Sequence, residues 1–231
     1  MIAMYSVYER LMNLPLFKGA GEDLINEFAE KTPLEFKTFA PGEVIISENQ
    51  ICNEVVCLLS GRVKRVMKYC SGRLIVSELI KGGTLIGIEH LFGLHQKYNM
   101  EITASEEAGI MYFPKQHYLR LLQSSNLILI NCLNYLSRFA QNGRNALKSH
   151  DMCGIDSVIS YLLQVTTATN ATEIYLTTSF SSFIEFIAPY TNRDESEFID
   201  MINRGFVKLV NPQTLYVPSR DAVLEEYKLE L

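Results

Sequence analysis

Val55-Val56-Cys57-Leu58-Leu59-Ser60-Gly61-Arg62-Val63 sets the fold class of this chain. A short apolar run meets a Ser-Gly turn and a second β-branched run follows at once, with no room for a helix between them. The same texture extends from about residue 36 to 113. Runs at 43–46, 55–59, 63–67, 74–79 and 109–113 are separated by glycines at 42, 61, 72, 82, 83, 87 and 93. Strands of four to seven residues, with turn residues every ten or so, predict an antiparallel roll or barrel. Pro41-Gly42 and Ser71-Gly72 are turn dipeptides because glycine takes positive φ without a steric penalty.

Helical spacing flanks this region. Leu11, Leu14, Phe17, Leu24, Ile25, Phe28 and Ala29 predict a helical segment over 5–31. After Lys115, residues Leu129, Leu133, Leu136, Ala140, Gly143 and Leu147 step by four and three, a heptad seam of under three repeats. Ile128, Ile130, Cys132 and Phe139 add apolar side chains elsewhere on that helix. The pattern fits burial on two sides, one on the roll and one on a second copy; the core helix of a monomer is the competing reading.

Residues 151–164 predict another helix, 166–172 a polar turn and 173–176 a short strand. Two small helices follow. Ser182-Phe183-Ile184-Glu185 has the form of a capping box, and Thr191-Asn192-Arg193-Asp194 repeats it with Asp. Only Pro189-Tyr190 separates them, which makes a helix-turn-helix candidate. Residues 206–210, a turn at 211–214 and residues 215–217 predict a hairpin, and 221–231 a closing helix. Domain boundaries are expected at 1–122, 123–150 and 151–231.

Among 231 residues, 48% are apolar and 20% charged, the balance of a globular protein. No run approaches the ~20 apolar residues of a membrane span. Residues 1–16 lack a signal-peptide profile, so a cytoplasmic location is expected. Five cysteines at 52, 57, 70, 132 and 153 form no CxxC pair and fit neither a disulfide framework nor a zinc site. Reduced thiols are expected, with a redox-sensing Cys52/Cys57 pair as the alternative. The four histidines show no i,i+4 spacing, so no metal is expected. No GxSxG, P-loop or nucleophile–base arrangement stands out, and no catalytic residue is assigned.

The order of helix, glycine-punctuated roll, long helix, helix-turn-helix and hairpin resembles the CRP/FNR (catabolite activator) family. The resemblance rests on Phe39-Ala40-Pro41-Gly42-Glu43-Val44-Ile45, Leu59-Ser60-Gly61-Arg62-Val63, Gly72 and Gly83-Thr84-Leu85-Ile86-Gly87-Ile88-Glu89-His90-Leu91-Phe92-Gly93. The last of these stands in the place of the family's phosphate-binding cassette.

The resemblance implies an α+β architecture: an N-terminal double-stranded β-helix (jelly roll), a long dimerisation helix and a C-terminal winged helix-turn-helix. It also implies a homodimer binding a palindromic operator, with RNA polymerase as a candidate partner. Gly87, Ile88, Glu89, Lys97, Tyr98, Asn99 and Arg65 are the expected effector-binding residues. Ser181, Ser182, Thr191, Asn192, Arg193, Ser196, Arg204 and Lys208 are the expected DNA contacts.

Two departures stand out. Relatives that bind cyclic AMP have Glu where Ile88 stands and Arg-Ser or Arg-Thr near Gln96-Lys97-Tyr98-Asn99. Lys97 offers a point charge without the bidentate fork of Arg. Cyclic AMP is therefore not the expected effector; another small molecule, or none, is. Charge also divides unevenly: residues 1–150 carry 16 basic and 14 acidic side chains, residues 151–231 carry 5 and 12. A DNA-binding domain usually has a basic footprint. An effector-binding or protein-interaction regulator whose acidic winged helix has weakened or lost DNA binding is thus the alternative.

Overall fold

The computed structural model describes residues 7–69, 74–148, 171–179, 181–183 and 196–226. The chain divides into two compact units. One comprises Met1–Val63 and Lys81–Phe139, the other Lys64–Ile80 and Ala140–Leu231.

The first unit is a jelly roll with helices. Strands β1 (Glu35–Phe39), β8 (Ala108–Pro114), β3 (Glu54–Ser60) and β6 (Thr84–Ile86) form an antiparallel sheet in that order. Strand β2 (Val44–Ile46) pairs antiparallel with β7 (Met100–Ala104). The buried runs of β3 and β8 lie side by side, Val56 opposite Tyr112 and Leu58 opposite Ile110. At the end of β3, Gly61 has φ +78°, and a β-carbon there would stand 2.1 Å from the Glu107 carbonyl oxygen. Only glycine permits the chain to turn at this point.

The residues expected as one N-terminal helical segment form α1 (Val7–Met12), a 3-10 turn at Pro15–Phe17 and α2 (Glu22–Lys31). Pro15 supplies the fixed φ that suits the start of the turn, and Gly19 at φ +78° follows it. A chain of rings joins these helices to the roll. Phe17 meets Phe28 at 5.2 Å between centroids, Phe28 meets Phe113 at 5.2 Å edge-on, and Phe113 meets Tyr118 at 6.3 Å.

After the roll come α3 (Lys115–Ser124) and α4 (Asn126–Lys148). The long helix expected from residue 123 thus begins at Asn126. Ser125 breaks the run, and its hydroxyl caps α4 by accepting from the Ile128 amide at 3.4 Å. One face of α4 rests on the roll. Ile128 is fully buried, Tyr118 donates its hydroxyl hydrogen to Cys132 Sγ at 2.9 Å, and Asn131 donates to the carbonyls of Leu16 and Lys18.

In the second unit, β4 (Arg62–Tyr69) and β5 (Leu74–Lys81) lie in one sheet with β9 (Ala171–Thr177), β11 (Thr214–Val217) and β10 (Lys208–Asn211), in the order β10-β11-β9-β5-β4. Runs 63–67 and 74–79, expected as strands of the roll, lie in β4 and β5 of this sheet. The hairpin expected at 206–217 is present as β10 and β11, with Asn211 Oδ1 accepting from the Gln213 amide at 2.8 Å in the turn.

Residues 181–183 are helical, and their cap is Ser179 rather than the expected Ser182. Ser179 Oγ accepts from the Ser182 amide at 3.1 Å, so Ser182 already lies inside the first turn. Helix α5 (Ser196–Asn203) ends in a Schellman turn. Gly205 at φ +81° lets its own amide reach Ile202 O and the Phe206 amide reach Met201 O, each at 3.0 Å. Phe183 and Phe198 pack 5.4 Å apart in the core beneath them. Helix α6 (Arg220–Glu226) closes the described chain. The helix expected at 151–164, the turn at Ser71-Gly72, the cap at 191–194 and the Pro189-Tyr190 connection lie outside the described residues.

Candidate functional site

Gly87 sits at φ +63°, ψ +22°, and starts a 3-10 turn over Ile88–His90. Strand β6 delivers it there directly. Gln96 to Tyr98 run antiparallel to Gln50–Cys52: the Tyr98 amide donates to Gln50 O at 3.0 Å, the Cys52 amide donates to Gln96 O at 2.9 Å, and Ile51 and Lys97 bridge. This pairing turns the Tyr98 side chain inward against the backbone of Gly87. Tyr98 is 2% exposed. A β-carbon at Gly87 would meet Tyr98 Cε1 at 2.4 Å and Met100 Cε at 2.8 Å.

Around this ring lies a small polar cluster. The Cys52 thiol is buried against the Tyr98 hydroxyl and 3.8 Å from the Gly87 carbonyl oxygen. The His90 ring meets Tyr98 edge-on at 5.9 Å, its Nε2 is 3.0 Å from Asn99 Oδ1 and 3.9 Å from Glu89 Oε1. Burial, with the hydrogen bond it donates to Cys52 second, pushes the Tyr98 hydroxyl far above the usual phenol range. Burial likewise raises the Cys52 thiol. Both groups are held neutral, as inward-facing hydrogen-bonding groups rather than charges.

Of the seven expected effector residues, Gly87, Ile88, Glu89, Tyr98 and Asn99 gather at this cluster. Lys97 lies beside it in sequence and is exposed to solvent. Arg65 lies on β4 in the other unit, its guanidinium paired with Glu78. Sequence reasoning missed Lys115. Its ammonium donates to Leu91 O at 2.6 Å and to Gln96 Oε1 at 3.4 Å, and stands 4.5 Å over the Phe92 ring. It ties both ends of the 91–96 loop, a role no local pattern announces.

Among the expected DNA contacts, Ser181, Ser182, Ser196, Arg204 and Lys208 are exposed. Arg204 is 3.4 Å from Asp200 and stacks 4.8 Å over Phe206. Thr191, Asn192 and Arg193 lie outside the described residues. On α4, Leu133 is 49% exposed, Ala140 is exposed, and Leu129 and Leu136 are half-buried. At about 100° per residue this stripe lies roughly a quarter of a turn from the face formed by Ile128 and Cys132. The side chains at 143 and 147 lie outside the description.

Cys52, Cys57 and Cys132 are buried free thiols, and burial pushes Cys57 well above the ordinary thiol range. Among the described residues no cluster of three or more His, Cys, Asp or Glu side chains could hold a metal ion. No described helix is long and apolar enough to cross a membrane.

Residues 36–125 match the family model of the cyclic nucleotide-binding domain. Among solved structures, the Thermus thermophilus catabolite activator protein aligns over 94% of this chain and 100% of its own, with 18% identity and a TM-score of 0.52. A transcriptional regulator from Thermotoga maritima aligns over 49% of this chain and 88% of its own, with 22% identity and a TM-score of 0.45. The sensor domain of the transcriptional regulator DNR from Pseudomonas aeruginosa aligns over 56% and 85%, with 17% identity and a TM-score of 0.46. No curated protein matches the chain. The N-terminal unit is thus a cyclic nucleotide-binding-type jelly roll, and the chain as a whole has a fold similar to that of the catabolite activator.

Proposed function

We propose that this protein is a cytoplasmic, homodimeric transcription regulator of the CRP/FNR type. In this reading the roll governs a C-terminal winged helix-turn-helix that binds a palindromic operator, and the chain is not an enzyme. The observation that carries it is the similarity to the catabolite activator over 94% of the chain, from roll to C-terminal helices. The half-exposed seam Leu129–Leu133–Leu136–Ala140 supports a second copy against α4. Exposed Ser181, Ser182, Ser196 and Lys208 supply hydroxyl and ammonium donors for phosphate contacts, with Arg204 and the undescribed Thr191, Asn192 and Arg193 completing the set.

The effector in this reading is not cyclic AMP. Ile88 is 5% exposed and apolar where a ribose partner would be needed, Lys97 stands in solvent, and Tyr98 covers Gly87. A buried phosphate without a bidentate cation would be left poorly paired. A small molecule able to displace or contact the Tyr98–Cys52–His90 cluster fits better.

Fluorescence anisotropy with the DNA upstream of the protein's own operon tests the reading. Binding should tighten as salt falls, since each phosphate contact releases counterions. No binding even at low ionic strength would refute it. That result would favour the second reading, an effector-binding or protein-interaction regulator, to which the acidic excess of residues 151–231 and the Arg204–Asp200 pair point.

A further inference from the structure

Helices α2 and α3 turn matching stripes toward one groove. On α2 the stripe is Leu24, Glu27, Phe28 and Lys31. On α3 it is His117, Arg120, Leu121 and Ser124. Each set recurs at i, i+3, i+4 and i+7, the spacing of a single helix face. The groove between them holds a cavity of about 420 Å³, within the range of small-molecule sites. It shares no residue with the Gly87–Tyr98 cluster.

Its floor is apolar. Phe28 and Leu121 are each 5% exposed, and Leu24, half-buried, lines the same cavity. Thr32 is the polar exception. It lines the cavity at 7% exposure, and its hydroxyl makes no hydrogen bond among the described residues. Its place follows from the sequence: Pro33 disfavours helix at the residue before it, so α2 stops at Lys31 and Thr32 takes φ −118°, ψ +126°. A buried hydroxyl is costly unless a group in the cavity satisfies it.

The rim carries charge. Lys31 is already paired with Glu27 at 2.6 Å, so these two cancel. Arg120 is exposed and has no acidic partner among the described residues, which leaves the lining with a net positive charge. His117 adds a ring nitrogen. An apolar floor beside an unpaired guanidinium and an unpaired hydroxyl suits a small anion with an apolar body, and the guanidinium fork matches a carboxylate bidentately.

We propose that the α2–α3 groove is a second ligand site, which takes an organic monocarboxylate with a short apolar chain. The chain lies on Phe28 and Leu121, Arg120 holds the carboxylate, and the Thr32 hydroxyl supplies a further donor. Such a site serves whether or not the chain binds DNA.

Octanoate is the probe, added to the full chain and followed by amide chemical shifts and calorimetry. Saturable shifts should be confined to residues 24–32 and 117–124; shifts centred on residues 87–99, or none, would overturn the site. Each methylene removed, from octanoate toward butanoate, should weaken binding about two- to fourfold, the worth of a partly to fully buried CH₂. Arg120→Ala should weaken octanoate at least about tenfold, the usual cost of losing a hydrogen bond to a charged group. Because Arg120 is exposed and unpaired, that variant should keep wild-type stability. Thr32→Val should cost about threefold. Unchanged affinity in either variant would overturn the role assigned to that residue. Octylammonium, the same chain with the opposite charge, should not compete, and equal competition would overturn the carboxylate. Tetraglutamate has the charge without the apolar body. If it displaces octanoate, the groove is a docking face for acidic protein segments and the proposal falls.

Discussion

The ring of Tyr98 occupies the space that a side chain at Gly87 would need, with Cε1 2.4 Å from the position of a β-carbon there. Gly87 also has φ +63°, a left-handed conformation. Two separate penalties therefore fall on Gly87→Ala: about 1–2 kcal/mol for the backbone and about 1–3 kcal/mol for overpacking. Urea denaturation should register their sum. In a Tyr98→Ala background the part of the packing penalty due to the ring should vanish, leaving the backbone part and the contact with Met100, so the two substitutions should be non-additive.

Arg65 and Glu78 make a second coupled pair. Glu78→Ala leaves a buried guanidinium without its carboxylate and should destabilise by about 3–5 kcal/mol. Replacing both, Arg65→Met with Glu78→Leu, should come close to wild-type stability. A double-mutant cycle by chemical denaturation checks this; equal losses for the single and double variants would contradict it.

On α4, Leu133 is half exposed, so Leu133→Glu should change the stability of an isolated chain little, within about 0.5 kcal/mol. In a dimer built on the seam it would bury two unpaired carboxylates. Sedimentation velocity should show wild-type dimer and variant monomer, with both chains retaining the same circular dichroism spectrum.

Alkaline pH should destabilise the fold. Burial, helped by Glu35 and Glu54, raises Tyr112 from 10 to about 12, and burial raises Tyr98, Tyr118 and Cys57 as well. As pH rises through 9 for the thiol and 10 for the phenols, the unfolded chain loses these protons while the folded chain keeps them. The unfolded state then binds fewer protons, and stability falls as pH rises through this window; below about pH 8 the contribution is constant. Urea midpoints between pH 8 and 11 should trace the fall, and Tyr112→Phe should make it shallower.

Much of this protein was legible in its sequence. Glycine punctuation located β3, β5, β8 and the turn at Gly61, because strand runs and positive-φ turns are local properties. The spacing of Leu129, Leu133, Leu136 and Ala140 identified a helix face that does stand partly exposed on α4. Residues Gly87 to Asn99 were singled out from the resemblance, and five of them do gather.

What only the tertiary structure decided depends on partners distant in the chain. Nothing near Tyr98 indicates that it will lie on Gly87, since the ring is aimed there by pairing with Gln50–Cys52. Lys115 holds the 91–96 loop from 19 or more residues away. Ser179, not Ser182, caps the first C-terminal helix, since several serines in a row leave the cap to the geometry of the preceding strand. Above all, the run ending at Leu79 reads as a roll strand because its alternation is local. Its partner, β9, lies about a hundred residues on, and a strand's own pattern records that one face is buried, never against what.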